Sequence, residues 1–284
     1  MNYKLIYIII FLSLYTGCSK DSKIPEREFR LYSVFPEENH ENSTHRTFIV
    51  YDMNTGETIH HLLYKDKDIS TTLKLQDGEY NLIGIEGVEV PSNEVSNFNT
   101  ATINYSPDGS SPYYYSKQNI IINKEGATFA RCLFTFLSGA LTIGQNDEPL
   151  QPGQNAYFTL RIERPNGKRF FLKDQTVSPE ESIITSQPIY FVKHSNGQYS
   201  IPEYYVFLFP NEADTPITLT ITFYTKDHQI TDAWTMTQPL PIASGMITGG
   251  KINFSAYSQY PVGVTVEQVP FEQTIVDVDA THSE

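Results

Sequence analysis

The stretch ITLTITFY, residues 217–224, decides the fold class because the character of its side chains alternates without a break. Its odd positions hold the large apolar residues Ile217, Leu219, Ile221 and Phe223. The even positions hold three threonines and a tyrosine, so a β-strand here has one apolar and one polar face. One buried face and one solvated face are typical of antiparallel sheets. The stretch therefore predicts an antiparallel strand that covers a core from one side.

Other segments repeat this pattern and predict hairpins. The predicted pairs are 46–53 with 57–64, 71–76 with 79–85, and 156–163 with 168–173. The second pair is joined by Asp77 and Gly78, which favour a type I′ turn, whose second residue needs a positive φ. Helical periodicity is nearly absent, so the sequence predicts an all-β protein.

Length and charge narrow the class of protein further. The chain has 284 residues, with 33 acidic and 20 basic side chains, a formal net charge of −13 and no basic block. Nucleic acid and anionic lipid headgroups are poor partners for it, because both bind clustered positive charge. Two β-rich blocks, residues 27–144 and 153–284, flank a polar stretch with two prolines at 145–152. This arrangement predicts two domains and a linker.

The N-terminus has the pattern of a signal peptide. Lys4 precedes an uncharged apolar run over residues 5–15, about 16 Å long as a helix and too short to span a bilayer. A small-residue pair and Cys18 follow, as in the bacterial lipobox, although a tyrosine stands where leucine is usual. We expect residues 1–17 to be a lipoprotein signal peptide, Cys18 to carry the lipid and residues 18–26 to form a tether. The alternatives are a plain secretory signal and an uncleaved anchor.

The second cysteine of the chain, Cys132, lies inside the apolar run CLFTFLSGALTI. A lone cysteine among phenylalanine and leucine is typically a small buried hydrophobic residue. Because Cys18 is assigned to the lipid, we expect Cys132 to be buried and unpaired, and we expect no disulfide.

No motif for catalysis or metal binding stands out. His60 and His61 point to opposite faces of a strand and cannot chelate one ion together. The stretch DMNTGE at 52–57 resembles the start of a calcium loop but lacks the later bidentate acid, so it predicts a hairpin turn. We therefore expect no enzyme activity, no metal site and no cofactor.

Aromatic residues provide the remaining candidates for a ligand site. Tyr113 and Tyr114, in SPYYYS at 111–116, and Trp234 are candidate glycan-stacking positions. Adjacent strand residues face opposite ways, so at most two of the three adjacent tyrosines share a surface. Packing at an edge strand is the favoured interpretation. With these rings as platforms, the alternative function is a glycan-binding outer-membrane lipoprotein of a polysaccharide-uptake system.

Several stretches together resemble the fimbrillin-type surface lipoproteins of Bacteroidales, the type V pilin superfamily. Those stretches are FIVYDMNTGETI (48–59), LKLQDGEYNLIGI (73–85), FARCLFTFLSGALTI (129–143) and SGMITGGKINFSAY (244–257). The resemblance implies two transthyretin-like antiparallel β-sandwich domains in tandem. It also implies a surface-exposed lipid anchor in the cell outer membrane and a role in fimbria assembly and cell adhesion. The length of the chain favours the anchor or minor-subunit branch.

The same resemblance implies assembly by exchange of β-strands with other fimbrial subunits, and a host or bacterial surface receptor as a further partner. In shaft pilins of this family a protease removes the first strand after an arginine. Arg46 is the candidate processing site here because it lies in the polar loop EENHENSTHR (37–46), where cleavage is easiest, and Arg27 and Arg30 are alternatives.

Cleavage at Arg46 would separate the protein from Cys18. We therefore expect an anchor to keep its first strand, predicted at 28–35, and to offer only its C-terminal segment, 271–284, to a partner.

Overall fold

The computed structural model describes residues 25–34, 45–64, 70–106, 108–145, 150, 152–254 and 261–270. The predicted signal peptide, Cys18 and the segment 271–284 lie outside the described residues, so the lipid and the C-terminal donor strand stay predictions. The described part of the chain is nearly all β, with 22 strands and one short 3-10 helix, Ser92–Glu94.

The strands are numbered in the order in which they follow one another along the chain. The first ten are β1 Glu26–Val34, β2 Arg46–Asp52, β3 Thr58–Tyr64, β4 Ser70–Gln76, β5 Gly78–Glu86, β6 Thr102–Asn104, β7 Tyr114–Ile122, β8 Phe129–Leu133, β9 Thr135–Phe136 and β10 Gly139–Gln145. The other twelve are β11 Tyr157–Arg164, β12 Arg169–Phe171, β13 Thr176–Val177, β14 Ser182–Thr185, β15 Ile189–Tyr190, β16 Val192–Lys193, β17 Tyr199–Ser200, β18 Tyr205–Leu208, β19 Pro216–Tyr224, β20 Ile230–Pro239, β21 Met246–Phe254 and β22 Pro261–Pro270.

The first apolar core lies between two sheets of the N-terminal half. One sheet is antiparallel and five-stranded, in the order β3-β2-β5-β7-β9, and the other has the order β4-β1-β8. Both sheets contribute buried side chains to this core, among them Phe29, Leu31, Leu73, Cys132, Phe48 and Leu82. Full burial of an aliphatic or phenyl side chain stabilises the fold by about 1.5–3 kcal/mol. The facing sheets therefore form a β-sandwich held mainly by apolar contacts.

The second core lies between the sheet β14-β11-β19-β20 and the sheet β18-β10-β21-β22. Strand β19 contains the ITLTITFY stretch, and its four apolar side chains are buried in this core. On the opposite face, Thr218 bonds to Thr237 at 2.8 Å and Thr220 bonds to Thr235 at 3.1 Å. The prediction of an antiparallel strand with one buried face is confirmed, as is the all-β sandwich class.

A third cluster joins the two parts of the chain. Strand β6 pairs with β12, and the Tyr115 hydroxyl donates a hydrogen bond to the carbonyl of Leu172 at 3.0 Å. Phe170 and Phe209 are buried here with residues of the first half, including Ile103. The two parts therefore share buried surface as well as a small sheet.

Two of the three predicted hairpins are wrong. The segments 71–76 and 79–85 are strands, but β4 pairs with β1 whereas β5 pairs with β2 and β7. One residue, Asp77, separates β4 from β5, and Gly78 lacks the positive φ of a type I′ turn. The chain crosses from one sheet to the facing sheet there instead of turning back. The hairpin of β2 with β3 is confirmed.

The third hairpin fails because the return segment has a different partner. Strand β12, Arg169–Phe171, pairs with β6 and β13, while β11 pairs with β14, β15 and β19. Strand β10, which the sequence analysis assigns to the first block, pairs with β18 and β21 of the second.

Candidate functional site

Strand β1 is the middle strand of its sheet, although it is the first strand described in the chain. It pairs antiparallel with β4 from Glu26 to Tyr32 and parallel with β8 from Arg30 to Val34. The amide of Arg30 donates to the carbonyl of Thr128 at 2.9 Å. One edge of β1 is therefore occupied over seven residues and the other over five, and both are occupied from Arg30 to Tyr32.

The inner face of β1 closes the first core. Phe29 and Leu31 are fully buried, and they lie between Leu73 on β4 and Ala130 and Cys132 on β8. Without β1, the strands β4 and β8 would flank an apolar gap about 9.6 Å wide, which is twice the strand spacing. We call the space that β1 fills, between β4 and β8, the β1 groove. A strand from another molecule that fills this groove would have to displace β1 first.

An ion pair holds the start of β1 to the crossing between the sheets. Arg27 donates to both carboxylate oxygens of Asp77, with 3.0 Å between Nη2 and Oδ2. The hydrogen bond from Arg27 holds the pKa of Asp77 below its ordinary value. A bidentate pair of this kind fixes orientation as well as distance. Arg27 is thus engaged by Asp77 in the folded protein.

Arg46 lies in a strand and not in the polar loop that the sequence analysis assigns to it. It is the first residue of β2, where it pairs with Glu86 on β5 and with Tyr64 on β3. Its Nη2 lies 3.4 Å from Oε1 of Glu86, and the two side chains are 3% and 0% exposed. Thr47, on the other side of the candidate cleavage point, is fully buried. Proteases cleave at exposed loops, so the folded structure shields this bond.

The last described strand lies at a sheet edge. Among the described strands, β22 pairs with β21 alone and ends at Pro270, on the outside of the sheet β18-β10-β21-β22. The segment 271–284 therefore follows directly from an edge strand.

The candidate glycan-stacking rings are mostly internal. Tyr113 is fully buried and Tyr114 is 4% exposed, and burial raises the pKa of both hydroxyls. Tyr114, at the start of β7, pairs with Glu86 on β5 and with Phe136 on β9, and a core lies on each face of the sheet there, so the expected edge-strand position is wrong for this ring. Trp234 is half-buried on β20, with its ring edge-to-face with Phe223 at 6.3 Å. Neither tyrosine presents a ring face to solvent.

Cys132 is buried and carries a free thiol, as predicted. Burial raises its pKa to about 12, so the thiol is protonated at neutral pH. Among the described residues, no group of three or more His, Cys, Asp or Glu side chains is arranged to hold a metal ion. In the same part of the chain, no helix is long and apolar enough to cross a membrane.

One surface was missed in the sequence, namely the outer face of β1 and β8. Arg30, Tyr32, Phe129 and Arg131 line a cavity of about 660 Å³ there. The signal was present, because EREFRLYSV and FARCL both alternate and place these four side chains outward. The sequence did not indicate that these two strands are neighbours, since about a hundred residues separate them.

Comparisons with known proteins identify the architecture. No family model and no curated protein matches the sequence. A candidate adhesin of Bacteroides thetaiotaomicron has a TM-score of 0.51 at 12% identity, over 87% of this chain and 98% of its own. A candidate polysaccharide-binding protein of the same organism has a TM-score of 0.52 at 12% identity, over 86% and 99%. The fimbrial anchor protein Mfa2 of Porphyromonas gingivalis has a TM-score of 0.50 at 10% identity, over 86% and 98%. At such identities the likeness shows a shared fold alone.

Proposed function

We propose that this protein is a fimbrillin-like lipoprotein of the type V pilin superfamily, anchored in the outer membrane through a lipid on Cys18. It is exposed at the cell surface as an anchor or accessory subunit of a fimbria. It joins other fimbrial subunits by β-strand exchange and contributes to cell adhesion. The protein is not an enzyme under this proposal.

The likeness to a fimbrial anchor over most of both chains supports the proposal at the level of the fold. Two transthyretin-like sandwich domains in tandem are part of it. Because β10 pairs with β18 and β21, we propose a division of the chain just before β10, near residue 138, in place of the linker at 145–152.

The observation that carries the anchor role is the position of β1. An anchor must keep the covalent path from its lipid to its folded part, and that path runs from Cys18 through β1 to Arg46. Strand β1 is paired on both sides and its apolar residues are buried. The bond after Arg46 lies between two buried residues. These features favour a mature chain that retains its first strand.

The C-terminal segment is the donor in this proposal. Because β1 already fills the β1 groove, a neighbour's strand cannot enter it, so this protein acts as the donor and not as the acceptor at that groove. The segment 271–284 follows edge strand β22 in the sequence and contains Val276 and Val278, which share one face of a strand and can occupy the groove of another subunit.

The alternative role in polysaccharide uptake receives less support. The sequence predicts that the rings of Tyr113, Tyr114 and Trp234 stack on sugars in that role. The rings of the two tyrosines are buried. Pull-down of pilins from native membranes, compared with a glycan array probed with the same protein, separates the two roles.

Two variants test the proposal in cells. A chain truncated after Pro270 should stay in the membrane fraction but recover few pilins, whereas Cys18→Ala should lose palmitate labelling and leave the membrane fraction. Normal fimbriae from the truncated chain would remove the donor role from the tail. Retention of radiolabelled palmitate by Cys18→Ala would refute the lipoprotein assignment.

A further inference from the structure

The outer face of β1 and β8 carries two cations and two aromatic rings in a checkerboard. Arg30 lies opposite Phe129, and Tyr32 lies opposite Arg131, in the parallel register of the two strands. With a strand spacing near 4.8 Å and a repeat near 6.6 Å, the Cα atoms of the two arginines are about 8 Å apart. The two rings contact each other edge-to-face at 6.4 Å along the other diagonal.

The two guanidinium groups of this face have no carboxylate partner within the described ranges. Both arginines are exposed, and Lys74 on the adjacent β4 adds a third cation opposite Glu28. The whole chain has a net charge of −13, so a local excess of positive charge is unusual for its surface. A carboxylate complements two such guanidinium forks because Arg binds it through two parallel hydrogen bonds.

The aromatic part of this face does not contribute to the core. Phe129 is 53% exposed, because it lies on the outer face of its sheet, opposite the side chains that fill the first core. Its ring and the Tyr32 ring line a cavity of about 660 Å³ together with Glu28 and Thr128. Cavities of about 300–1,000 Å³ with aromatic walls and a few polar groups are typical of small-ligand sites.

We propose that this face, which we call the Arg30/Arg131 face, binds an acidic oligosaccharide that carries a carboxylate, such as a uronic-acid or sialic-acid glycan. The arginines pair with the carboxylate, the aromatic rings contact the apolar face of a sugar ring, and Glu28 accepts hydrogen bonds from sugar hydroxyls. A neutral sugar leaves both guanidinium groups unpaired. A run of acidic residues in a peptide is disfavoured because it has no apolar sugar face to contact the rings of Tyr32 and Phe129.

This binding site needs both strands, since β1 supplies Arg30 and Tyr32 and β8 supplies Phe129 and Arg131. The inference therefore rests on the part of the proposed function in which the mature chain keeps β1. Loss of β1 would remove half of the site.

Calorimetry on the purified, full-length lipidated protein in detergent tests the inference. The probes are trigalacturonate, sialyllactose, trigalacturonate with its carboxyls reduced to alcohols, and hexaglutamate. We expect at least one acidic sugar to bind and the reduced sugar not to bind. Arg30→Gln, Arg131→Gln and Phe129→Ala should each weaken binding at least tenfold. Lys226→Gln, an exposed position outside the cavity that loses the same charge, should not change it.

The proposal is overturned if neither acidic sugar binds, if the reduced sugar binds equally well, or if the arginine variants bind like Lys226→Gln. Tight, arginine-dependent binding of hexaglutamate with no sugar binding would assign the face to an acidic peptide instead. The purified protein keeps its own N-terminus, so failure here leaves the anchor role untouched. Conversely, a chain cleaved at Arg46 in cells would refute the anchor role but not the measured binding.

Discussion

Removal of one ring from β1 measures how much this strand contributes to the folded protein. Phe29 is fully buried in the first core, opposite Leu73 on β4. Phe→Ala replacement in a core costs about 3–5 kcal/mol, because the transfer free energy of the ring is lost and a cavity remains. We expect Phe29→Ala to lower the free energy of unfolding by that amount. Because total stabilities are about 5–15 kcal/mol, this is a large fraction.

The neighbouring residue provides the control. Arg30 lies on the same strand but is exposed on the opposite face, without an ion-pair partner in the described structure. Arg30→Ala should change the free energy of unfolding by no more than about 0.5 kcal/mol, as is usual for surface positions. The two variants therefore compare inward and outward side chains of one strand.

Equilibrium urea unfolding followed by far-UV circular dichroism is the appropriate assay. We expect the midpoint of Phe29→Ala to fall well below that of the parent protein, while Arg30→Ala stays close to it, with unchanged slopes. Equal and small losses for both variants would mean that β1 is not part of the core, and the argument for its retention would fail.

Three further predictions concern other parts of the structure. Leu219→Asp buries an unpaired carboxylate in the second core and should lower the free energy of unfolding by several kcal/mol, whereas Thr220→Asp on the outer face should lower it by about 0.5 kcal/mol or less. Equal losses for the two variants would mean that the register of β19 is wrong. Burial raises the pKa of Cys132 to about 12, so a bulky maleimide should label this thiol at pH 8.5 only after unfolding, and rapid labelling of the native protein would contradict the burial. Because the thiol ionises more easily in the unfolded chain, the contribution of Cys132 to stability should be lost as the pH rises from about 9 to 12. Glu86→Ala removes the carboxylate that faces the buried charge of Arg46, so it should lower the free energy of unfolding by about 3–5 kcal/mol and make trypsin cleave faster at Arg46. Unchanged cleavage would show that the ion pair does not protect this bond.

The side of a strand that faces the core is determined locally, so the sequence predicts it well. The alternation in β19 identified its buried residues because a period of two needs only neighbouring positions. Burial of Cys132 was also predicted from local sequence, namely from the apolar run that contains it.

Strand partners depend on contacts that are distant in the sequence, and the predictions fail there. The Asp77-Gly78 pair favours a hairpin locally, but β4 finds its partner in β1, whose paired residues lie 38 to 50 positions earlier in the chain. Tyr114 begins β7 and Tyr113 precedes it, and both are buried because β9 flanks this end of β7 and a core lies on each face of the sheet there. Alternation alone does not distinguish such a strand from one at an edge.

The candidate sites were likewise mispredicted where they depend on contacts that are distant in the sequence. Arg46 was placed in a loop because polar residues precede it, whereas its carboxylate partner, Glu86, lies forty residues away on β5. The Arg30/Arg131 face was missed because it forms only when β1 lies beside β8.

The central claim is that the mature protein keeps β1 and with it the lipid. Mass spectrometry of the N-terminal peptide of the protein isolated from the cell surface tests this claim most directly. The account predicts a chain that begins at a lipidated Cys18 and continues without a break through Arg46. A mature chain that begins at Thr47 would contradict it and would identify a polymerising pilin whose β1 groove is open to the strand of a neighbour.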